Sequence, residues 1–92
     1  MSVDNTIHAR KIYGEYPMVA SLSQTLKEEM SCRATWNNLD ADMKESLEMI
    51  QAKISRIING DPTYLDNWHD IQGYAKLIET RLKDDIRNAH EN

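Results

Sequence analysis

The residues with the greatest chemical reach lie between Lys53 and Leu77. Lys53 and Arg56 sit one turn apart, and Leu65–Leu77 reads LDNWHDIQGYAKL. A helix advances about 100° per residue. On that spacing Asp66, Asp70, Gly73, Tyr74 and Leu77 fall on the flank and back of a helix whose inner stripe starts at Trp68 and Ile71. A guanidinium fork and an ammonium suit phosphate oxygens, and an aromatic face suits a base. Lys53, Arg56, Asp66, Asp70 and Tyr74 therefore describe a candidate pocket for a nucleotide-type ligand, with Trp68 as a second aromatic. The same residues can instead form an ion-pair cluster, Lys53/Arg56 with Asp66/Asp70, that fixes the register of a helical hairpin. Both readings stand at this point.

Gly73 and Leu77 are the odd members. A glycine inside a helix costs about 1 kcal/mol relative to alanine, which makes sense where another backbone or a ligand comes close. An apolar Leu77 on the polar side suggests a second contact surface, and Met49, beside Lys53 and Arg56 on the preceding helix, would share it. The run His8-Ala9-Arg10-Lys11-Ile12-Tyr13 also combines positive charge with an aromatic ring, so Tyr13 joins the ligand candidates.

Other chemistries find less material. Asp42, Glu45 and Glu48 step by three, and Glu45/Glu48 form the E-x-x-E pair with which a helical enzyme could hold magnesium. Glu45, however, points away from the apolar stripe of its own helix. No two His or Cys residues have metal-ligand spacing. There is no Gly-rich phosphate loop. Cys32 has no evident catalytic partner, and His69 reads as an exposed residue. The expectation is a protein without a catalytic set and without a cofactor, magnesium entering only under the enzyme alternative.

These residues need helices to position them. The chain has 92 residues, 40% hydrophobic and 28% charged, with a net charge of −4. That is one globular domain with a limited core, for which self-association is a common remedy. The acidic balance argues against a nucleic-acid binder. The lone Cys32 allows no intrachain disulfide and fits a reducing compartment. No signal peptide or membrane span is expected. Residues 1–16 read as an N-terminal arm, with a short helix around 6–13. The first long helix begins near Pro17 and carries Met18, Leu22, Leu26 and Met30. The second carries Met43, Leu47, Ile50, Ile54 and Ile57, with Asp40 as N-cap and Gly60 as a left-handed C-terminal residue. The third carries Trp68, Ile71, Ala75, Ile78, Leu82 and Ile86. The expected fold is all-α: a small antiparallel three-helix bundle over 17–88, oligomeric, with a loose tail at 89–92.

Two blocks carry a resemblance. Lys53-Ile54-Ser55-Arg56-Ile57-Ile58-Asn59-Gly60-Asp61-Pro62 is followed by Asp66-Asn67-Trp68-His69-Asp70-Ile71-Gln72-Gly73-Tyr74-Ala75-Lys76-Leu77, with Tyr13-Gly14 upstream. Over roughly 13–83 this resembles a family of short phage and prophage proteins of unknown function. More distantly, it is similar to the all-helical nucleotide pyrophosphohydrolases called MazG-like, although the third helix offers D-x-x-x-D where those enzymes have E-x-x-D. The resemblance implies a phage origin and a host bacterial cytoplasm. With the pocket residues, it leads to a homo-oligomeric, non-enzymatic protein that sequesters a nucleotide-type ligand or host immune signal. An inhibitor of a host protein and a magnesium-dependent pyrophosphohydrolase built on Glu45 and Glu48 are the alternatives.

Overall fold

Helix α3 (Ala41–Asn59) is the member against which the others are arranged. The computed structural model describes the backbone of residues 3–91 and the side chains of residues 7–90. Within it α1 spans Val3–Tyr13, α2 Tyr16–Ser31 and α4 Leu65–Glu91, and a 3₁₀ turn, Ala34–Asn38, joins α2 to α3. The chain is an all-α helical bundle. α4 makes the most extensive contact with α3, and α2 the next; α1 lies against both α3 and α2.

Two ion pairs set the α3–α4 register. Lys53 Nζ lies 3.0 Å from Asp70, and Arg81 Nη2 lies 2.6 Å from Asp42. Eleven residues separate Asp42 from Lys53 on α3, and eleven separate Asp70 from Arg81 on α4. Eleven residues are close to three helical turns, so both pairs lie on the same flanks and the helices run antiparallel. The expected four-residue ion cluster is thus a single pair, Lys53–Asp70. Arg56 and Asp66 turn to aromatic partners instead.

Residues read as an arm form α1, which is tied to the α3–α4 connection. The Asp61 amide donates to the Ile12 carbonyl at 2.9 Å. A side chain at Gly60 would place its Cβ 2.1 Å from that carbonyl oxygen. Gly60 is therefore required by close approach, and its φ of −125° is not the left-handed C-cap expected from sequence. The left-handed glycine is Gly14, φ +88°, where a Cβ would meet the Asn59 carbonyl oxygen at 2.4 Å. Asp40 takes the N-cap position of α3 without a side-chain capping bond, because its carboxylate is used by Arg81 at 2.9 Å. At the other end, Ala89, His90 and Glu91 continue α4 where a loose tail was expected. Met1, Ser2 and Asn92 lie outside the described residues.

The apolar stripes are not buried as expected. Among the described residues no hydrophobic side chain is fully buried, whereas Ser46, Gln51, Ser55 and Asn67 are. Helical geometry explains this. With Met43, Leu47, Ile50 and Ile54 centred on one direction of α3, Ser46 and Lys53 fall about 70–90° to one side, and Gln51 and Ser55 about 70–110° to the other. Contact with the neighbouring helices runs along these two flanks, so the stripe itself looks out between them. Small Ser46 and Ser55 allow the close approach, and Ser55 Oγ donates back to the Gln51 carbonyl at 3.0 Å.

Candidate functional site

The sequence candidates separate into a cleft, an ion pair and a shallow back surface. The cleft forms where α1 turns into α2. Ala9, Arg10, Tyr13 and Gly14 come from the end of α1, Glu15, Tyr16, Pro17 and Val19 from the start of α2, and Arg56 from the last turn of α3. Its volume is about 450 Å³, within the range of small-molecule sites. Gly14 takes the positive φ at which α1 turns into α2, and Tyr13 and Tyr16 on either side of it both line the cleft.

Arg56 is the central cation. Its guanidinium carbon stands 5.2 Å from the centroid of the Tyr13 ring, a cation–π contact. Among the described side chains no carboxylate lies within ion-pair distance of it. At the rim, Arg10 pairs with Glu15 at 3.3 Å. Behind Tyr13, the Tyr64 ring packs edge-on at 5.7 Å between centroids. Tyr64 in turn donates its hydroxyl to Asp66 at 3.2 Å. The Tyr13 hydroxyl and then the Asp66 carboxylate push the Tyr64 phenol up to about 12. Asp66, Tyr64, Tyr13 and Arg56 thus form one chain of contacts from the start of α4 to the cleft.

The α3–α4 connection holds Tyr64 in place. Asp61 Oδ1 accepts from the Thr63 amide at 2.8 Å and from the Thr63 hydroxyl at 2.6 Å. Those bonds hold the Asp61 carboxyl below its usual value, the hydroxyl bond first and the amide bond second. The Trp68 indole donates to the Pro62 carbonyl at 2.8 Å, so Trp68 is anchored to this loop and half exposed; it is not a core residue of the single chain.

Lys53, with 12% of its side chain exposed, is engaged by Asp70. Tyr74 lies on the next turn, where His69, Asp70, Gly73, Tyr74 and Leu77 line a shallow depression of about 340 Å³. Nothing stands within 4 Å of the position a Gly73 Cβ would take, so the close approach expected there does not occur within the chain. Leu77 is 64% exposed, and Met49 is half-buried on α3.

The acidic ladder on α3 is split. Asp42 accepts two bonds from Arg81, which hold its carboxyl below the usual range, while Glu45 is exposed and Glu48 half-buried. Arg81 also reaches Asp40 and Asp85, and this triple engagement raises it further above its already high value. Among the described residues no three His, Cys, Asp or Glu side chains are grouped so as to hold a metal ion. No described helix is long and apolar enough to cross a membrane.

Of the six sequence candidates, Tyr13 and Arg56 meet in the cleft, Asp66 supports them through Tyr64, Lys53 and Asp70 pair, and Tyr74 lies apart on the back. Arg10, Glu15, Tyr16, Tyr64 and Arg81 were missed. The i, i+3 spacing of Arg10 and Tyr13 on α1 was the available signal for the first; Arg81's contacts with Asp40 and Asp42 span about forty residues and leave no local trace. No known family model matches the chain, and neither a curated protein nor a solved structure matches it.

Proposed function

We propose that this chain is a small non-enzymatic binding protein that holds a nucleotide-type anion in the Tyr13–Arg56 cleft. The observation that carries the reading is Arg56: a cation held on the Tyr13 ring, lining a cleft, and not paired with a carboxylate among the described side chains. Arg56 would meet phosphate oxygens, and Tyr16, which also lines the cleft and is 81% exposed, would offer its face to a base. Arg10 would exchange Glu15 for a second phosphate oxygen. In keeping with the resemblance to short phage proteins, the use of such a site would be to sequester a host nucleotide signal.

The test is calorimetry with linear and cyclic nucleotides, together with mass spectrometry of small molecules released from the purified protein. Binding should weaken about tenfold or more in Arg56→Gln and in Tyr13→Ala, equivalent to about 1.4 kcal/mol each. Lys53→Met should leave it nearly unchanged. No binding across the panel, or equal binding by Arg56→Gln, would remove the idea.

A second reading, an inhibitor docking on a host protein, draws on the exposed Leu77 beside Gly73 and Tyr74. Capture of one host protein by wild type but not by Leu77→Asp would favour it over the cleft.

A further inference from the structure

The single chain has a large surface, and among the described residues no apolar side chain is fully buried. Its accessible area is 6929 Å². A globular chain of 10.7 kDa would expose about 5,500 Å², so roughly 1,400 Å² is in excess. Its radius of gyration is 16.5 Å, and its extents are 58 × 27 × 22 Å. About 12 Å is expected for a compact domain of this length. Seven of the eleven exposed large apolar side chains lie on α3 and α4 away from Leu77. Leu47, Ile54 and Ile58 on α3 are exposed, as are Leu65, Trp68, Leu82 and Ile86 on α4. The two stripes converge on a common groove of about 300 Å³ lined by Leu39, Met43, Leu47, Ile50, Ala75 and Ile78.

We propose that the α3–α4 groove is the interface between two copies of this chain, which close face to face about a two-fold axis into a bundle with four helices at its centre. Three observations select a second copy as the occupant. The area in excess, about 1,400 Å² per chain, is what one partner contributes to an interface at the lower end of the obligate range. A chain in which no described apolar side chain is fully buried gains from a permanent partner, and its own copy is present wherever it is made. The two stripes are also alike in composition and lie side by side, so a two-fold axis sets each stripe of one chain on a stripe of the other. The register ion pairs Lys53–Asp70 and Arg81–Asp42 lie on the flanks of the stripes, outside the apolar seam, and the Gly73–Leu77 surface falls on the opposite side of α4. This inference does not depend on the ligand reading.

Sedimentation velocity of the wild-type chain at micromolar concentration should give twice the chain mass, and its melting temperature should rise with protein concentration. A single-chain mass with a concentration-independent, cooperative melt would overturn the proposal. Hydroxyl-radical footprinting of the wild-type protein locates the face without any substitution. Leu47, Ile54 and Leu82 should be labelled far less than Leu77. Labelling in proportion to their exposure on the single chain would overturn the assignment, as would a dimer kept by Leu47→Glu and Ile78→Glu but lost in Leu77→Glu.

Discussion

Replacing Gly73 with alanine should stabilise the protein. Gly73 lies in the interior of α4, nothing stands within 4 Å of the position an added Cβ would take, and its φ is not in the left-handed region. The substitution therefore adds no clash. It gains the helix-propensity difference of about 1 kcal/mol, most of it from the smaller conformational freedom of alanine in the unfolded chain. At about 2.1 cal/mol/K per residue, a chain of 92 residues has an unfolding entropy near 0.19 kcal/mol/K. A gain of about 1 kcal/mol then raises the melting temperature by about 5 °C. The assay is thermal unfolding followed by circular dichroism, at matched protein concentrations because self-association would make the midpoint concentration-dependent. Gly60→Ala is the control of opposite sign, since its Cβ would fall 2.1 Å from the Ile12 carbonyl oxygen and force α1 off the α3–α4 connection. It should lose about 2 kcal/mol or more. A lower melting temperature for Gly73→Ala would refute the reasoning and show that something covers this face in solution, as the sequence alone suggests.

Two further predictions concern protons. Tyr64 is pushed up to about 12, so the folded chain holds its phenol proton more tightly than the unfolded chain, whose value is near 10. The stabilisation is fully present below pH 10 and is lost as the pH rises toward 12; phenolate absorbance should show one of the four tyrosines titrating late, and Tyr64→Phe should abolish the late phase. Asp42 is depressed below 3.8 by Arg81, so its contribution is present above that value and is lost as the pH falls through the lower folded value. Arg81→Gln should flatten this acid-side loss in urea midpoints followed from pH 5 to about pH 2; an unchanged slope would place the acid sensitivity elsewhere.

The helices were legible because amphipathic period, Pro17 and the Asn59-Gly60-Asp61-Pro62 break are local signals. α1 was legible in part, as a short helix around 6–13 within an arm; its docking was not, because that attachment depends on Asp61 meeting Ile12 across the fold. The stripes were found correctly but are only partly turned inward: Met43, Ile50, Ile71 and Ile78 are half-buried, while Leu47, Ile54, Trp68, Leu82 and Ile86 are exposed. Periodicity says that Met43, Leu47, Ile50 and Ile54 share a direction; it does not say whether the element filling that direction belongs to the same chain. Small Ser46 and Ser55 on the flanks decide it here, since helices settle where side chains let them approach, and that turns the larger residues outward.

The same logic explains the divided site. Lys53, Arg56, Asp66 and Asp70 share one region of a helical wheel, and a wheel cannot tell an ion pair from a cation held on a ring. Position on the hairpin makes the distinction. Lys53 lies opposite Asp70 in mid-hairpin, where the helices are close and 12% exposure makes pairing the favourable outcome for a buried ammonium. Arg56 lies one turn nearer the α3–α4 connection, where α1 brings Tyr13 within reach and no carboxylate of the described side chains is at ion-pair distance. Lys53, by contrast, has already spent its charge on Asp70, so removing it should disturb the fold more than any binding, and comparing Lys53→Met with Arg56→Gln separates the paired cation from the one proposed to bind.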